Sequence, residues 1–258
     1  MAEETAMSFT EFNSGLDKVT VTPPKNTTEA GKVRFGNLKF GGRSMPDIQT
    51  KLGSISWDVE YKPDSGFNSK SCSVGFKLSP DGGEADVIRA FEDHVKAICI
   101  AEKDKFWKKH MDDALLEATF TSAVDANYGT FKSKLNVTVT DEGEVKYHCA
   151  FQNISDGMAD AQPPIPKGSK AVLVVTPAFI WFGSGNWGVT WRTQIIAFAD
   201  PASVDSTVPE KPLPAISMTP ELLNLQNSIS TGAAKREVDG DDDTIVVPSA
   251  KRQAVESA

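Results

Sequence analysis

Aromatic rings set beside cations are the chemistry this chain has to offer, and that chemistry is recognition, not bond making. Three of its five Trp fall within eleven residues, at 181, 187 and 191, with Phe179 and Arg192 beside them. The segment KVRFGNLKF (32–40) interleaves Arg34, Phe35, Lys39 and Phe40 before Gly41, Gly42 and Arg43. A single-stranded nucleic acid needs both kinds of group, flat rings to stack its bases and cations to follow its phosphates. Catalytic constellations are missing by contrast. His94, His110 and His148 are far apart, and there is no HExxH, no GxSxG, no phosphate loop and no Cys/His spacing suited to a metal. A protein without enzymatic activity, metal or cofactor is expected.

The elements that must position the rings can be read from period and punctuation. Apolar runs at 171–182 and 187–198 flank Gly183, Ser184, Gly185 and Asn186, which predicts a hairpin. Successive side chains on a strand point to opposite faces. Pairing Phe182 with Trp187 sets Ile180 opposite Val189 and Ala178 opposite Trp191, an apolar face for the core. Phe179, Trp181, Thr190, Arg192 and Gln194 then share the other face, with Trp181 lying across Gly188. That half-polar face either meets a ligand or packs under a neighbouring loop or helix. Likewise 32–43 is either a strand and loop that meet phosphates and bases or an edge strand with a solvated face.

Further strands follow the same logic. ISWDVEY (55–61) alternates so that Ile55, Trp57, Val59 and Tyr61 point inward, and SCSVGFKL repeats the pattern with Cys72, Val74, Phe76 and Leu78, joined by a turn at 63–66. In 131–153, Asp141, Glu142 and Gly143 make a three-residue loop with the glycine left-handed. Thr140 then opposes Glu144, and Val139/Val145, Val137/Tyr147 and Leu135/Cys149 form an apolar face, with Lys132, Lys134, Lys146 and His148 on the other. Between these hairpins the period changes. Val87, Phe91, Val95 and Ile98 predict an amphipathic helix over 84–101, and Trp107, Met111, Leu115 and Ala118 a second over 103–118.

Composition divides the 258 residues into a body and a tail. Of 35 acidic and 27 basic residues, ten and five fall in 200–258, so the first 199 residues carry −3 of the total −8. Within 31–80, eight Lys or Arg face four acids, a locally basic stretch. Residues 1–30 read as a flexible arm with one short strand near 19–22. Pro201, Pro209, Pro212 and Pro214 mark a linker, Thr219 and Pro220 open a short helix over 219–230, and DGDDDTIVV ends the chain in an acidic, β-branched segment. Leu222, Leu223, Leu225, Asp241, Asp242, Asp243, Ile245, Val246 and Val247 are the tail residues suited to a partner, as an added strand or a docked helix. The chain has no apolar run long enough to cross a membrane, and its first residues lack the basic and apolar regions of a signal peptide. Cys72, Cys99 and Cys149, odd in number and widely spaced, suit reduced thiols. An intracellular protein is expected.

The order of a basic strand with Gly41 and Gly42, hairpins, a mid-domain helical pair and the closing PAFIWF-x4-WGVTWRTQIIAF resembles the OB-fold single-stranded DNA-binding proteins of large nucleocytoplasmic DNA viruses and related phage-type proteins. The resemblance spans 32–199 in layout, and its specific part is 180–191. It implies a mainly β (α+β) fold: an antiparallel Greek-key OB-like barrel over 31–199 with extra strands and an inserted helical pair at about 84–118, followed by a disordered acidic C-terminal tail. It also implies sequence-independent ssDNA binding in replication, recombination or repair, with a tail that competes for the DNA face or recruits replication proteins. The location is then the host nucleus or cytoplasm, and Lys235-Arg236 with Lys251-Arg252 faintly suggest the former. On the residues alone, a virion or scaffold protein built as a β-sandwich or jelly roll fits the same hairpins, as does an adaptor that works through its tail. Homo-oligomerisation stays open in each case.

Overall fold

The computed structural model describes residues 6–24, 33–61, 71–107, 111–154, 161–183 and 185–199. The turn at 63–66, the linker, the helix at 219–230 and the acidic end, and with them every tail residue named above, lie outside the described residues. In chain order the elements are β1 (Met7–Ser8), α1 (Phe9–Asn13), β2 (Val19–Thr22), β3 (Arg34–Phe40), β4 (Ile48–Gln49), β5 (Gly53–Ile55) and β6 (Ser71–Lys77). Next come α2 (Glu84–Ala101), α3 (Lys103–Phe106), α4 (Asp113–Ala118), β7 (Phe120–Thr121), β8 (Thr130–Val139), β9 (Val145–Tyr147), β10 (Ala150–Asn153), β11 (Lys170–Phe182) and β12 (Trp187–Ala199). The protein is mostly strands with a few helices. No described helix is long and apolar enough to cross a membrane.

The predicted hairpin, β11 and β12, is the hub. Each strand is 13 residues long, so different stretches of it reach different neighbours. β11 pairs with β3, β4 and β5, and β12 with β7, β8 and β10, and the pairings β11–β5–β6–β8–β12 return to β11. β12 runs parallel to β7, β8 and β10, so the expectation of an antiparallel sheet is corrected to a mixed one. Near the turn the register is as read from the sequence: Phe182 faces Trp187, Trp181 faces Gly188 and Ile180 faces Val189. Farther along it departs. Ala178 bulges out, leaving Pro177 opposite Trp191, and Gln194 bulges from β12 between Thr193 and Ile195. Each bulge reverses the parity of its own strand. Ala171, Leu173 and Val175 therefore share the main core with Ile180 and Phe182, and Trp187, Val189 and Trp191 with Ile196 and Phe198. Val172, Val174 and Ala197 turn to the opposite side and meet Ile154 in a second, smaller cluster.

Part of the N-terminal arm belongs to the core. The Ser8 hydroxyl accepts the Glu11 N–H and the Glu11 carboxylate accepts the Ser8 N–H, a capping box that starts α1 and sets Phe9 and Phe12 on one face, both buried. The β8–β9 hairpin keeps its predicted pairs Val139/Val145 and Val137/Tyr147, with Gly143 left-handed at φ 85°. Its ladder stops there, and Leu135/Cys149 does not form. After His148 donates its N–H to Asn136, the chain leaves to lay Ala150 beside Ile195 of β12. Leu135 faces Cys72 of β6 instead.

Helix α2 has the predicted bounds but is rotated. Ile88, Phe91, Glu92, Val95 and Cys99 are buried, and Val87 and Ile98 only flank this stripe. Glu92 ties the helix to the chain after β7, accepting from the Ser122 hydroxyl at 2.6 Å and the Ala123 N–H at 2.8 Å. The single helix expected over 103–118 is two short ones. Trp107 is extended at φ −117°, ψ 137° and ends α3, and Asp112 caps a new start by accepting the Ala114 N–H. Phe106 and Leu116 are the buried side chains, whereas Leu115 is 48% exposed. The break lets the Trp107 ring stand edge-on to Phe182 and Trp187, and Trp187 Nε1 donates to the Leu116 carbonyl at 2.8 Å.

Candidate nucleic-acid interface

Alternation on β3 leaves Phe35, Asn37 and Lys39 exposed between inward Gly36 and Leu38. Phe35 lies opposite Trp181 and Asn37 opposite Phe179 on the adjoining stretch of β11. Phe35 is 53% exposed, and its ring meets that of Phe179 edge to face at 5.0 Å between centroids. Trp181 is half-buried and rests on β12, where a Cβ added to Gly188 would sit 3.4 Å from its Cζ2 and Nε1 atoms. Three rings thus meet on one outward patch.

Cations continue the same face. Arg192, two positions beyond Thr190 on β12, lies opposite Lys134 of β8. Lys132 and Lys134 are exposed while Phe131, Ser133 and Leu135 between them point inward. The Ser133 and Thr193 hydroxyls bond at 2.6 Å on the inner side and so pin β8 to β12 with Arg192, Lys132 and Lys134 all outward. Lys134 Nζ donates to the Ser73 hydroxyl at 2.8 Å, and Lys132 Nζ reaches the Asp125 carboxylate at 3.4 Å. Lys146 lies farther along, opposite Thr138. Two acids border the patch: Asp125, paired with Lys132, and Asp47, whose carboxylate accepts from Thr176, the residue opposite Arg192.

Two of the candidates read from 32–43 are elsewhere. Arg34 holds its guanidinium 5.9 Å from the Phe182 ring on the other face of β3, and Phe40 stacks on Phe12 under the Lys18 ammonium. Each is an odd number of positions from Phe35, and on a strand that sets it on the opposite face. Arg43 is exposed on the tight turn after β3, closed by two backbone hydrogen bonds with Phe40.

Trp57 corrects a further expectation. It is half-buried and absent from the core, because β5 ends at Ile55; the inward positions resume at Val59, which is buried and bridges to Ile165, and skip Trp57. The ring instead lies on the outer face across Gly75 of β6, where an added Cβ would be 2.2 Å from the indole, and its Nε1 donates to the Ser73 carbonyl at 3.2 Å. The signal was a glycine at an outward position of an otherwise alternating strand.

Glycine at 188 is demanded by the neighbouring backbone, while Trp181 would remain in ordinary contact with a Cβ there. A Cβ there would come within 2.5 Å of the Thr121 carbonyl of β7. Gly188→Ala is expected to cost about 1 to 3 kcal/mol, the scale of overpacking a core, measurable as a lowered urea midpoint.

Glu84 and Glu92 are both buried, and burial pushes both carboxyls up, Glu84 to about 7, against the pull of the hydrogen bonds each accepts. Among the described residues no three His, Cys, Asp or Glu side chains gather to hold a metal.

No protein-family model matches the chain, and no curated protein does. Its neighbours among solved structures are phage single-stranded DNA-binding proteins. One is gp2.5 of bacteriophage T7, with a TM-score of 0.42 and 15% identity over 78% of this chain and 100% of that one. Another is the protein of bacteriophage Enc34 in complex with ssDNA, with a TM-score of 0.38 and 10% identity over 75% and 98%. At these TM-scores the likeness carries no argument about this chain.

Proposed function

We propose that this protein binds single-stranded DNA without sequence preference on the outer face of β3, β11, β12 and β8. The observation that carries the reading is the meeting of Phe35, Phe179 and Trp181 on a surface that continues into Arg192, Lys134 and Lys132. Rings stack any base, and the cations follow the phosphates, so the combination is tolerant of sequence. Lys39 and Lys146 extend the positive margin, and Arg43 stands beyond the end of β3. The body over 31–199 is read as an OB-like barrel of Greek-key type, a reading supported by the return of the strand pairings to β11. The protein acts by binding, not as an enzyme, and serves replication, recombination or repair inside the host cell. The tail from 200 onward, with Asp241, Asp242 and Asp243, competes for the positive face or recruits replication proteins through Leu222, Leu223, Leu225 and the Ile245-Val246-Val247 segment.

Titration with oligo-dT tests this. Binding is expected to weaken as salt rises, with a log–log slope of about −2 to −3 for three or four neutralised phosphates. Deleting residues 237–258 is expected to tighten it. No binding by the tail-deleted protein at low salt would sink the reading.

A further inference from the structure

We propose that Trp57 is a second stacking station for single-stranded DNA, set at the far side of the cationic strands from Phe35, Phe179 and Trp181. The inference rests on the ssDNA-binding reading above and adds a residue and a path to it.

The geometry repeats that of Trp181. Each indole lies on a glycine of a neighbouring strand, Trp181 on Gly188 of β12 and Trp57 on Gly75 of β6, and in both cases the missing Cβ is on the outer face. A glycine lets a ring lie on the strand, which fixes the plane of the ring without enclosing it. At Trp57 the Nε1–H bond to the Ser73 carbonyl adds a second restraint, and the ring remains half-buried outside the core. A held, partly open ring stacks a base with little further loss of freedom.

The surroundings supply the charge. Gly75 lies opposite Lys132 and Ser73 opposite Lys134, so both ammonium groups stand beside the Trp57 platform. Lys134 in turn lies opposite Arg192 of β12. Continued two residues back, that parallel register aligns Lys132 with Thr190, which faces Phe179 on β11. A row across the strands therefore runs from Trp57 on Gly75 through Lys132 and Thr190 to Phe179, about 14 Å for three strand spacings. A DNA strand laid along it meets a ring, a line of cations and a second group of rings. The nearby acids are Asp125, which shares Lys132, and Asp47 beside Thr176.

The alternative is that Trp57 merely covers the β6 backbone, and two substitutions in the full chain separate the roles. Trp57→Leu keeps bulk over Gly75 without a stacking face, and Trp57→Phe keeps a ring. Stacking predicts that Trp57→Leu weakens oligo-dT binding on the order of tenfold, the contribution of one stacked base, while Trp57→Phe stays within a few-fold of the parent protein. The unsubstituted protein gives an independent readout: light-induced cross-linking to oligo-dT carrying 5-bromouracil should label the tryptic peptide 52–70, read by mass spectrometry, whether or not the Leu variant folds. Binding by Trp57→Leu equal to that of the parent, or cross-links confined to 33–43 and 171–199, overturns the proposal and leaves the Trp181 patch standing. Failure of the parent chain and of its tail-deleted form to bind oligo-dT overturns both.

Discussion

Trp191→Ala is expected to lower the folding free energy by about 3 to 5 kcal/mol, the usual cost of truncating a core Trp. The indole is 1% exposed and lies among four rings from three elements: Phe9 and Phe12 of α1, Phe91 of α2 and Phe131 of β8, with centroids between 5.4 and 6.5 Å away. Removing it opens a cavity where the N-terminal helix, the long helix and the sheet meet, and rigid neighbours on three sides limit collapse. Against a typical total of about 5 to 15 kcal/mol, the loss is a large share of stability. Trp181→Ala is the contrasting case. Its ring lies on the outside of the same strand pair, so the change should cost under about 1 kcal/mol of stability. It should weaken oligo-dT binding by about 1 to 3 kcal/mol. Urea unfolding and fluorescence titration of the two variants give both numbers. Unfolding by Trp181→Ala with intact DNA binding in Trp191→Ala would mean that the two faces are exchanged.

The second large effect is a pH dependence carried by Glu84. This carboxyl, at the first position of α2, is 1% exposed. Its Oε1 accepts the Lys51 N–H at 2.6 Å, and its Oε2 is buried without a hydrogen bond. Burial pushes its pKa up from 4.5 to about 7, against the pull of the Lys51 N–H and ammonium. The folded protein therefore binds more protons than the unfolded chain between those two values, and stability must fall as pH rises through that window. Below about 4.5 the contribution is fully present; above 7 it is lost and the curve is flat. The shift corresponds to about 3 kcal/mol. Glu92 adds to the same trend, because its carboxyl is also raised by burial. Urea midpoints should drop between pH 5 and pH 8 in the parent protein, and Glu84→Gln, which stays neutral, should remove most of that drop. An unchanged slope in the variant would assign the titration to other groups.

Much of the local structure was legible in the residues themselves. The pairing of Phe182 with Trp187 and of Trp181 with Gly188 follows from period-two alternation beside a Gly/Asn turn. The span of α2 follows from the change of period after Gly82 and Gly83, and the Val139/Val145 pair from the loop that ends in Gly143. These are short-range features, in which a residue's role is set by its neighbours in the chain. The candidate patch was legible to the same extent: Phe35, Phe179, Trp181, Arg192, Lys132 and Lys134 were named from alternation and charge. Arg34 and Phe40 were carried along by proximity in sequence, and the same alternation turns them to the other face.

What alternation does not reach, the tertiary pairing decides. The bulges at Ala178 and Gln194 arise where β11 and β12 pass from one set of partners to the next, and they swap the faces of both strands midway. The break at Trp107 depends on the Phe182 and Trp187 rings, about eighty residues away in the chain. Trp57 was read inward because ISWDVEY alternates, yet only Gly53–Ile55 of that region is strand, and beyond it the open backbone at Gly75 takes the ring. By itself, then, the sequence determined where the closing hairpin, the Gly143 turn and the long helix α2 lie and which rings and cations were available, since those depend on period and turn chemistry. Which of them share a surface was decided only by the long-range hydrogen bonds that set β3 beside β11, β8 beside β12, and a glycine beneath each of two outward tryptophans.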